Sequence, residues 1–237
     1  MTVRIAHLYP REMSLYGDTG NIIAVRKRLQ WRGHDSAVAA VEAGEDFDFS
    51  TVDMIIGGGG PDSGQAHIAA DLVERGDDVK AALAAGVPAL VVCGLFQLFG
   101  RSFTTNDGAV IPGIGVFDAV TVATRRRIVG NVELATRFGR LVGFENHSGM
   151  TRLGPDQEPF GRVVSGRGPG RRRREDGAVS GAAIGTYLHG PVLPRNPLLA
   201  DFLIDKALAH RASRDGRAPV GDPTGSSRVP HGPASRT

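Results

Sequence analysis

The chain has 237 residues, enough for one large α/β domain or two small ones and long enough to bury a sizeable core. Its formal charge of +3, from 28 basic and 25 acidic residues, is too small to mark a nucleic-acid binder. One cysteine excludes an internal disulfide framework and a cysteine-built metal cage, no apolar run reaches membrane-spanning length, and MTVRIAHLYP lacks a signal peptide's apolar core, so the expected compartment is the cytoplasm. Residues 3–8 alternate loosely and predict a first strand. The loop that follows, Tyr9 to Gly20, is long for a strand-to-helix connection, and long loops in compact domains are often functional. Asp18 is placed to N-cap a helix running to about Trp31, with Ile22, Ile23, Val25 and Leu29 on its buried face. Residues 36–41 read as a second strand.

Residues 52–56 predict a short buried strand that runs into Gly57-Gly58-Gly59-Gly60-Pro61-Asp62, where four glycines let the backbone approach something closely. No Gly-Lys-Ser/Thr follows, so this is not a nucleotide phosphate loop, and the spacing fails the dinucleotide fingerprint. Helical patterns come at 65–75 and 77–85. Val87–Gly100, VPALVVCGLFQLFG, then reads as a buried strand, a sharp turn at Cys93-Gly94 and a helix. A cysteine on such a turn is either an inert buried residue or a nucleophile held clear of the backbone. As a nucleophile it would have the Gly94 N–H as one oxyanion donor and Gly59 or Gly60 as the other. The order β-α-β-β-α-β-α predicts a doubly wound sheet whose ligands lie beyond the strands' carboxyl ends.

The second half reads differently. Strands are expected at 116–123, 140–144, 162–164 and 183–188, and another at 129–134, as mixed or antiparallel additions to the sheet. Gly166–Gly177, with its run Arg171–Arg174, reads as an exposed loop. Asn196 and Pro197 make an N-cap and first helical position for a helix ending near His210. Residues 211–237 are Gly, Pro, Ser and Arg with little that is apolar, and are expected to be a disordered tail behind a domain spanning 1–210. A cysteine nucleophile needs a base. His189, ending Gly185-Thr186-Tyr187-Leu188-His189-Gly190, sits where a strand-end residue belongs, and His147, in Gly143-Phe144-Glu145-Asn146-His147-Ser148-Gly149, is its rival.

These motifs together resemble the class I glutamine amidotransferases, in the branch of cobyric acid synthase, where Tyr-Leu-His-Gly replaces the more usual His-Pro-Glu. Leu15-Tyr16-Gly17-Asp18-Thr19-Gly20-Asn21 and the Gly57 and Gly143 stretches narrow the likeness to the GatD family of glutaminase subunits. The resemblance covers residues 3–209. It implies a flavodoxin-like α/β fold: a mostly parallel central sheet flanked by helices, with extra antiparallel strands in the second half. It also implies Cys93 as nucleophile, His189 as base and acid, and Arg127 as the arginine that holds glutamine. No cofactor is implied. Ammonia would pass to a separate MurT-like ATP-dependent ligase that amidates D-glutamate in the lipid II stem peptide, the lipid being reached through that partner. The usual acid two residues past the histidine is missing, because position 191 is proline. The resemblance assigns that role to an aspartate of the partner; the internal alternatives are Glu145 and Asp18. Rival functions are an amidotransferase subunit for another acceptor, such as a cobyrinate, and a flavodoxin-like binding module without catalysis.

Overall fold

The computed structural model describes residues 1–15, 17–167 and 174–216. Arg171–Arg173 of the arginine run and the tail from residue 217 lie outside the described residues. The first hundred residues follow the expected order: β1 (Thr2–Leu8), α1 (Thr19–Trp31), β2 (Asp35–Val41), β3 (Met54–Gly57), α2 (Asp62–Glu74), α3 (Gly76–Ala84), β4 (Ala89–Val92) and α4 (Gly94–Phe99). Every residue of β3, β4 and α4 is buried, which is why the two strands are unbroken apolar runs rather than alternations and why Gln97 is the one polar side chain in α4. On α1 the buried residues are Asn21, Ile22, Val25 and Leu29. Ile23, expected inside, is 62% exposed, because it lies one helical step off that stripe.

The second half forms β5 (Ser102–Thr104), β6 (Val110–Pro112), β7 (Ala119–Thr136), β8 (Gly139–Leu153), β9 (Gly161–Ser165), β10 (Glu175–Asp176), β11 (Ala178–Ser180) and β12 (Ala183–Thr186), then α5 (Val192–Arg195) and α6 (Pro197–Arg214). Two sheets result. One runs β11-β12-β4-β3-β1-β2, parallel except for the β11–β12 hairpin. The other runs β10-β9-β7-β5-β6 with β8 on β7, and is antiparallel except for β5 with β7. Most of the extra strands therefore build a sheet of their own instead of extending the first. The strands expected at 116–123 and 129–134 are one strand, interrupted by a register shift between Ala123 and Ile128.

Two expected features of the C-terminal third change. Gly166–Gly177 is not wholly an exposed loop, since Glu175 and Asp176 form β10 and Asp176 is buried. The last helix passes His210 and reaches Arg214, held there by ion pairs from Arg211 and Arg214 to Asp53 that composition could not reveal. Asn196 does sit at that helix's N-cap with Pro197 behind it, but its side chain makes no cap. Its Oδ1 accepts from Val142 N at 2.9 Å and its Nδ2 donates to Val142 O at 3.0 Å, clipping β8 to the helix start.

Candidate functional site

Strands β12, β4, β3 and β1 are neighbours and parallel, so the segments leaving their carboxyl ends converge on one edge of the sheet. Cys93 leaves β4 with φ +52° and ψ −104°, a left-handed backbone that only one other described non-glycine residue, Tyr9, shares. Such strain costs of order 1–3 kcal/mol and persists only where surrounding bonds impose it. Here Cys93 N–H donates to Thr186 O at 2.9 Å, Cys93 O accepts from Gln97 N at 3.0 Å, and Leu95 N–H donates to Gly58 O at 3.3 Å. The turn is thus pinned to β12, to its own helix and to the glycine loop.

His189 follows β12. Its backbone makes a two-way bridge with Phe144 on β8, His189 N to Phe144 O at 2.8 Å and Phe144 N to His189 O at 3.1 Å. The preceding residues are fixed by Asp176: Thr186 Oγ1 donates to its carboxylate at 2.5 Å, and Tyr187 N–H reaches the same group at 3.3 Å. Burial pushes the Asp176 carboxyl up to about 6, against the opposing pull of the Thr186 hydrogen bond.

Gly59 is where thiol and imidazole meet. A Cβ on it would lie 3.3 Å from Cys93 Sγ and 3.1 Å from His189 Cε1. Both side chains are buried. Burial alone would lower the His189 pKa; Asp18 first, then Cys93, outweigh it and raise the group to about 10. Around neutral pH the arrangement therefore favours an imidazolium beside the sulfur, which is the setting that turns a thiol into a thiolate nucleophile.

The fourth contributor is Asp18, from the loop after β1. It precedes α1 as expected, but its carboxylate caps nothing in that helix. Its Oδ2 instead accepts from Gly59 N–H at 2.9 Å, and its Oδ1 stands 3.8 Å from His189 Nδ1. Two expectations change with this. The Asp18 cap signal located the helix boundary but not the side chain's partner. Gly59, one of the glycines expected to donate to an oxyanion, has its N–H already committed to Asp18. Among the described residues, Gly60 N–H and Gly94 N–H carry no protein hydrogen bond. Met13 packs against both, as a Cβ on Gly60 would meet its Sδ at 2.7 Å and one on Gly94 its Cε at 2.5 Å.

His147 and Glu145 form a separate pair. His147 lies in the middle of β8 rather than at a strand end, its Nδ1 at 3.0 Å from Gly149 O and its ring stacked on Tyr187 at 4.1 Å. Glu145 accepts from Arg167 N–H at 2.8 Å and stands 3.8 Å from His147 Nε2. Arg127 is exposed at the end of the β7 interruption, its Nε donating to Asn146 Oδ1 at 2.6 Å on the paired strand. An opening of about 630 Å³ between the β1–α1 loop and the start of α2 is lined by Glu12, Ser14, Pro61 and Ser63 among others, and neither Cys93 nor His189 lines it. No group of three or more acidic, histidine or cysteine side chains among the described residues is arranged to hold a metal ion. Sequence reasoning missed Asp176, whose only local signal was an acidic pair beside a basic run.

The CobB/CobQ-like glutamine amidotransferase domain matches residues 4–197. The GatD subunit of the glutamine-hydrolysing lipid II isoglutaminyl synthase of Staphylococcus aureus is 35% identical over 204 residues, covering 86% of this chain and 83% of that protein. Its counterpart in Streptococcus pneumoniae is also 35% identical, covering 92% and 85%. A cobyric acid synthase from Methanothermobacter thermautotrophicus, described as probable, is 33% identical over 66% of this chain and 33% of its own. Among solved structures, a glutamine amidotransferase aligns with a TM-score of 0.56 at 18% identity, over 85% of this chain and 98% of its own. The glutaminase domain of Trypanosoma brucei CTPS, solved with acivicin, aligns at 0.52 with 12% identity, over 95% and 98%. At those identities the structures establish the fold.

Proposed function

The chain belongs to the CobB/CobQ-like glutamine amidotransferase family and is a glutamine-hydrolysing enzyme of the GatD kind, and from that premise we propose how its residues perform the reaction and whom it serves. The Cys93 thiolate attacks the carboxamide carbon of glutamine. Gly94 N–H and Gly60 N–H receive the oxyanion of the tetrahedral adduct. His189, as imidazolium, gives its proton to the departing nitrogen, and ammonia leaves as the γ-glutamyl thioester forms. Neutral His189 then takes a proton from water, which attacks the thioester and releases glutamate and the thiolate. Arg127 holds the glutamine α-carboxylate by two parallel hydrogen bonds, and Asn146 orients its guanidinium.

The ammonia passes to a MurT-like ATP-dependent ligase in a cytoplasmic complex. There it amidates the α-carboxyl of D-glutamate in the lipid II stem peptide, giving D-isoglutamine. Support for the acceptor is the likeness, over most of both chains, to two subunits named for lipid II isoglutaminyl synthesis. No helix among the described residues is long and apolar enough to cross a membrane, so the lipid would be met through the partner.

The observation that carries the chemistry is the meeting of a backbone-strained cysteine and a histidine at Gly59. Cys93→Ser should lower glutaminase turnover by at least about a thousandfold, since the hydroxyl is a far weaker nucleophile and its ordinary pKa is out of reach. The far-ultraviolet circular dichroism should be unchanged. Retained turnover in a folded variant would end the assignment of Cys93.

A further inference from the structure

Thr186 ends β12 and bonds toward both halves of the reacting pair. Its carbonyl accepts from Cys93 N–H at 2.9 Å, and its Oγ1 accepts from Leu188 N–H at 3.1 Å, one residue short of His189. What holds Thr186 in turn is Asp176 of β10. Its carboxylate takes the Thr186 hydroxyl at 2.5 Å, and both of its oxygens stand 3.3 Å from Tyr187 N. The backbone N–H groups of the stretch that carries His189 are therefore committed in order: Tyr187 to Asp176, Leu188 to Thr186, His189 to Phe144 O. A carboxylate is a costly choice for such a clip, because Asp176 is buried and burial disfavours its charge. The charged groups around it do not remove that cost. On β8 His147 favours the charge and Glu145 opposes it. On β9 the residue opposite is Gly161, and from β12 and the residue after it come the two donors, Thr186 Oγ1 and Tyr187 N–H. An amide oxygen would hold the Thr186 hydroxyl at less cost, so the charge calls for a reason beyond stability.

We infer that Asp176 is a positioning residue for the reaction: as a carboxylate it fixes Thr186 and the Tyr187 N–H, and through them the separation of the Cys93 turn from His189, while touching neither reacting group. Only the ionised form suits this task. Both groups that face it donate to it, and a protonated carboxyl would set a third donor against them. Pushed up to about 6, the carboxyl takes up its proton in mild acid, and the clip loosens there. His189, raised to about 10, stays protonated through that range and does not supply the change. The inference rests on the reading that Cys93 and His189 are the reacting pair.

The test follows glutamine hydrolysis by the full chain across mildly acid to mildly alkaline pH, for Asp176→Asn, Thr186→Val and Thr186→Ser. Asparagine keeps an oxygen for the Thr186 hydroxyl but cannot ionise. Misplacement on the scale of an ångström is worth about a hundredfold, so Asp176→Asn should lower kcat about ten- to a hundredfold on the alkaline side, with KM changed less. Its rate should show no step near pH 6, whereas the unaltered chain should fall through that pH toward the variant's rate. Its melting temperature on the alkaline side should stay close to that of the unaltered chain, because the charge removed is one that burial disfavours. Thr186→Val loses the hydroxyl and should match the kcat of Asp176→Asn; Thr186→Ser keeps it and should recover most of the rate. An Asp176→Asn protein that keeps its kcat, or that keeps the step near pH 6, would overturn the inference. So would one that melts far lower while each folded molecule turns over at the full rate, since that is a structural role alone. Should Asp176→Asn not fold, equal rates in Thr186→Val and Thr186→Ser would overturn it. Failure of the underlying pair is told apart by Cys93→Ala: if that variant still hydrolyses glutamine, the pair is wrong, whatever Asp176 does.

Discussion

Two aspartates lie at opposite edges of the parallel sheet, both with no exposed surface, and their surroundings differ in one respect. Asp53, just before β3 at the amino edge, accepts from Arg4 N–H at 2.8 Å and faces His210 at 3.4 Å, Arg214 at 3.1 Å and Arg211 at 3.8 Å. Asp18, beyond β1 at the carboxyl edge, likewise takes one backbone N–H and faces one histidine, but no arginine among the described residues pairs with it. At the amino edge two permanent cations share the carboxylate, so its field is spent on tying α6 to the sheet. At the carboxyl edge a single titratable cation balances the charge, so the field is delivered to one imidazole. The same buried carboxylate is a structural tie in one place and a tuner of acidity in the other.

The sharpest way to break this contrast is at the histidines. His189→Ala should cost glutaminase turnover about a hundred- to ten-thousandfold, the span of general acid–base catalysis. His147→Ala removes a ring stacked on Tyr187 and should act through packing, with turnover lowered at most about tenfold and a lower melting temperature. Single-turnover acylation separates them, and a His147 variant that cannot acylate while His189→Ala can would reverse the roles. A pH effect on stability accompanies this. His189 is raised to about 10 from an ordinary 6.5, so its contribution to stability is complete below pH 6.5 and is lost as pH rises toward 10. In His189→Ala that alkaline loss should shrink, as read from melting temperatures at pH 6 and 9.5.

A smaller effect is expected where the thiol and imidazole meet. In Gly59→Ala the new methyl would lie 2.9 Å from Cys93 Cβ, closer than real side-chain carbons approach, and 3.1 Å from His189 Cε1, tighter than most such contacts. One or both groups must give way by a few tenths of an ångström. Misplacement on the scale of an ångström is worth about a hundredfold, so a loss of about ten- to a hundredfold in turnover is expected. If alanine is tolerated at full rate, then Gly59 is not where the reacting groups close up.

Much of this was legible in the chain, and the failures share one cause. The parallel strands stood out because burial on both faces demands continuous apolar runs, as in Ala89–Val92. Cys93, Gly94 and His189 stood out because each sits at a strand end beside glycine. Asp18 and Asn196 look like helix caps and do mark helix starts, yet both side chains leave their helices for distant backbone groups, Gly59 N–H and Val142. Side-chain chemistry that suits a cap suits any exposed N–H, and only the fold decides which one is near. Asp176 and Asp53 were hidden for the same reason, since their partners Thr186 and Arg214 lie on other elements. The single long strand β7 was split in two because the stretch between Ala123 and Ile128 breaks its alternation.

The smallest expected effect on activity belongs to the amino edge, and it separates tie from tuner. A chain ending at Gly216 keeps α6 and every contact that the described residues make to Asp53, so its glutaminase rate should stay within about twofold of the full chain. A chain ending at Ala209 loses His210, Arg211 and Arg214 together. Asp53 would then keep Arg4 N–H and little else, a buried carboxylate without a cation. Both arginines are partly exposed, so the loss is that of a partly screened cluster: about 1–3 kcal/mol of stability, several degrees in melting temperature for a chain of this size. The rate measured well below that temperature should still change little, because the carboxyl edge lies at the other ends of the same strands. If the shorter chain melts normally, then Asp53 does not tie α6. If it melts normally and also loses turnover, the two edges have been read the wrong way round.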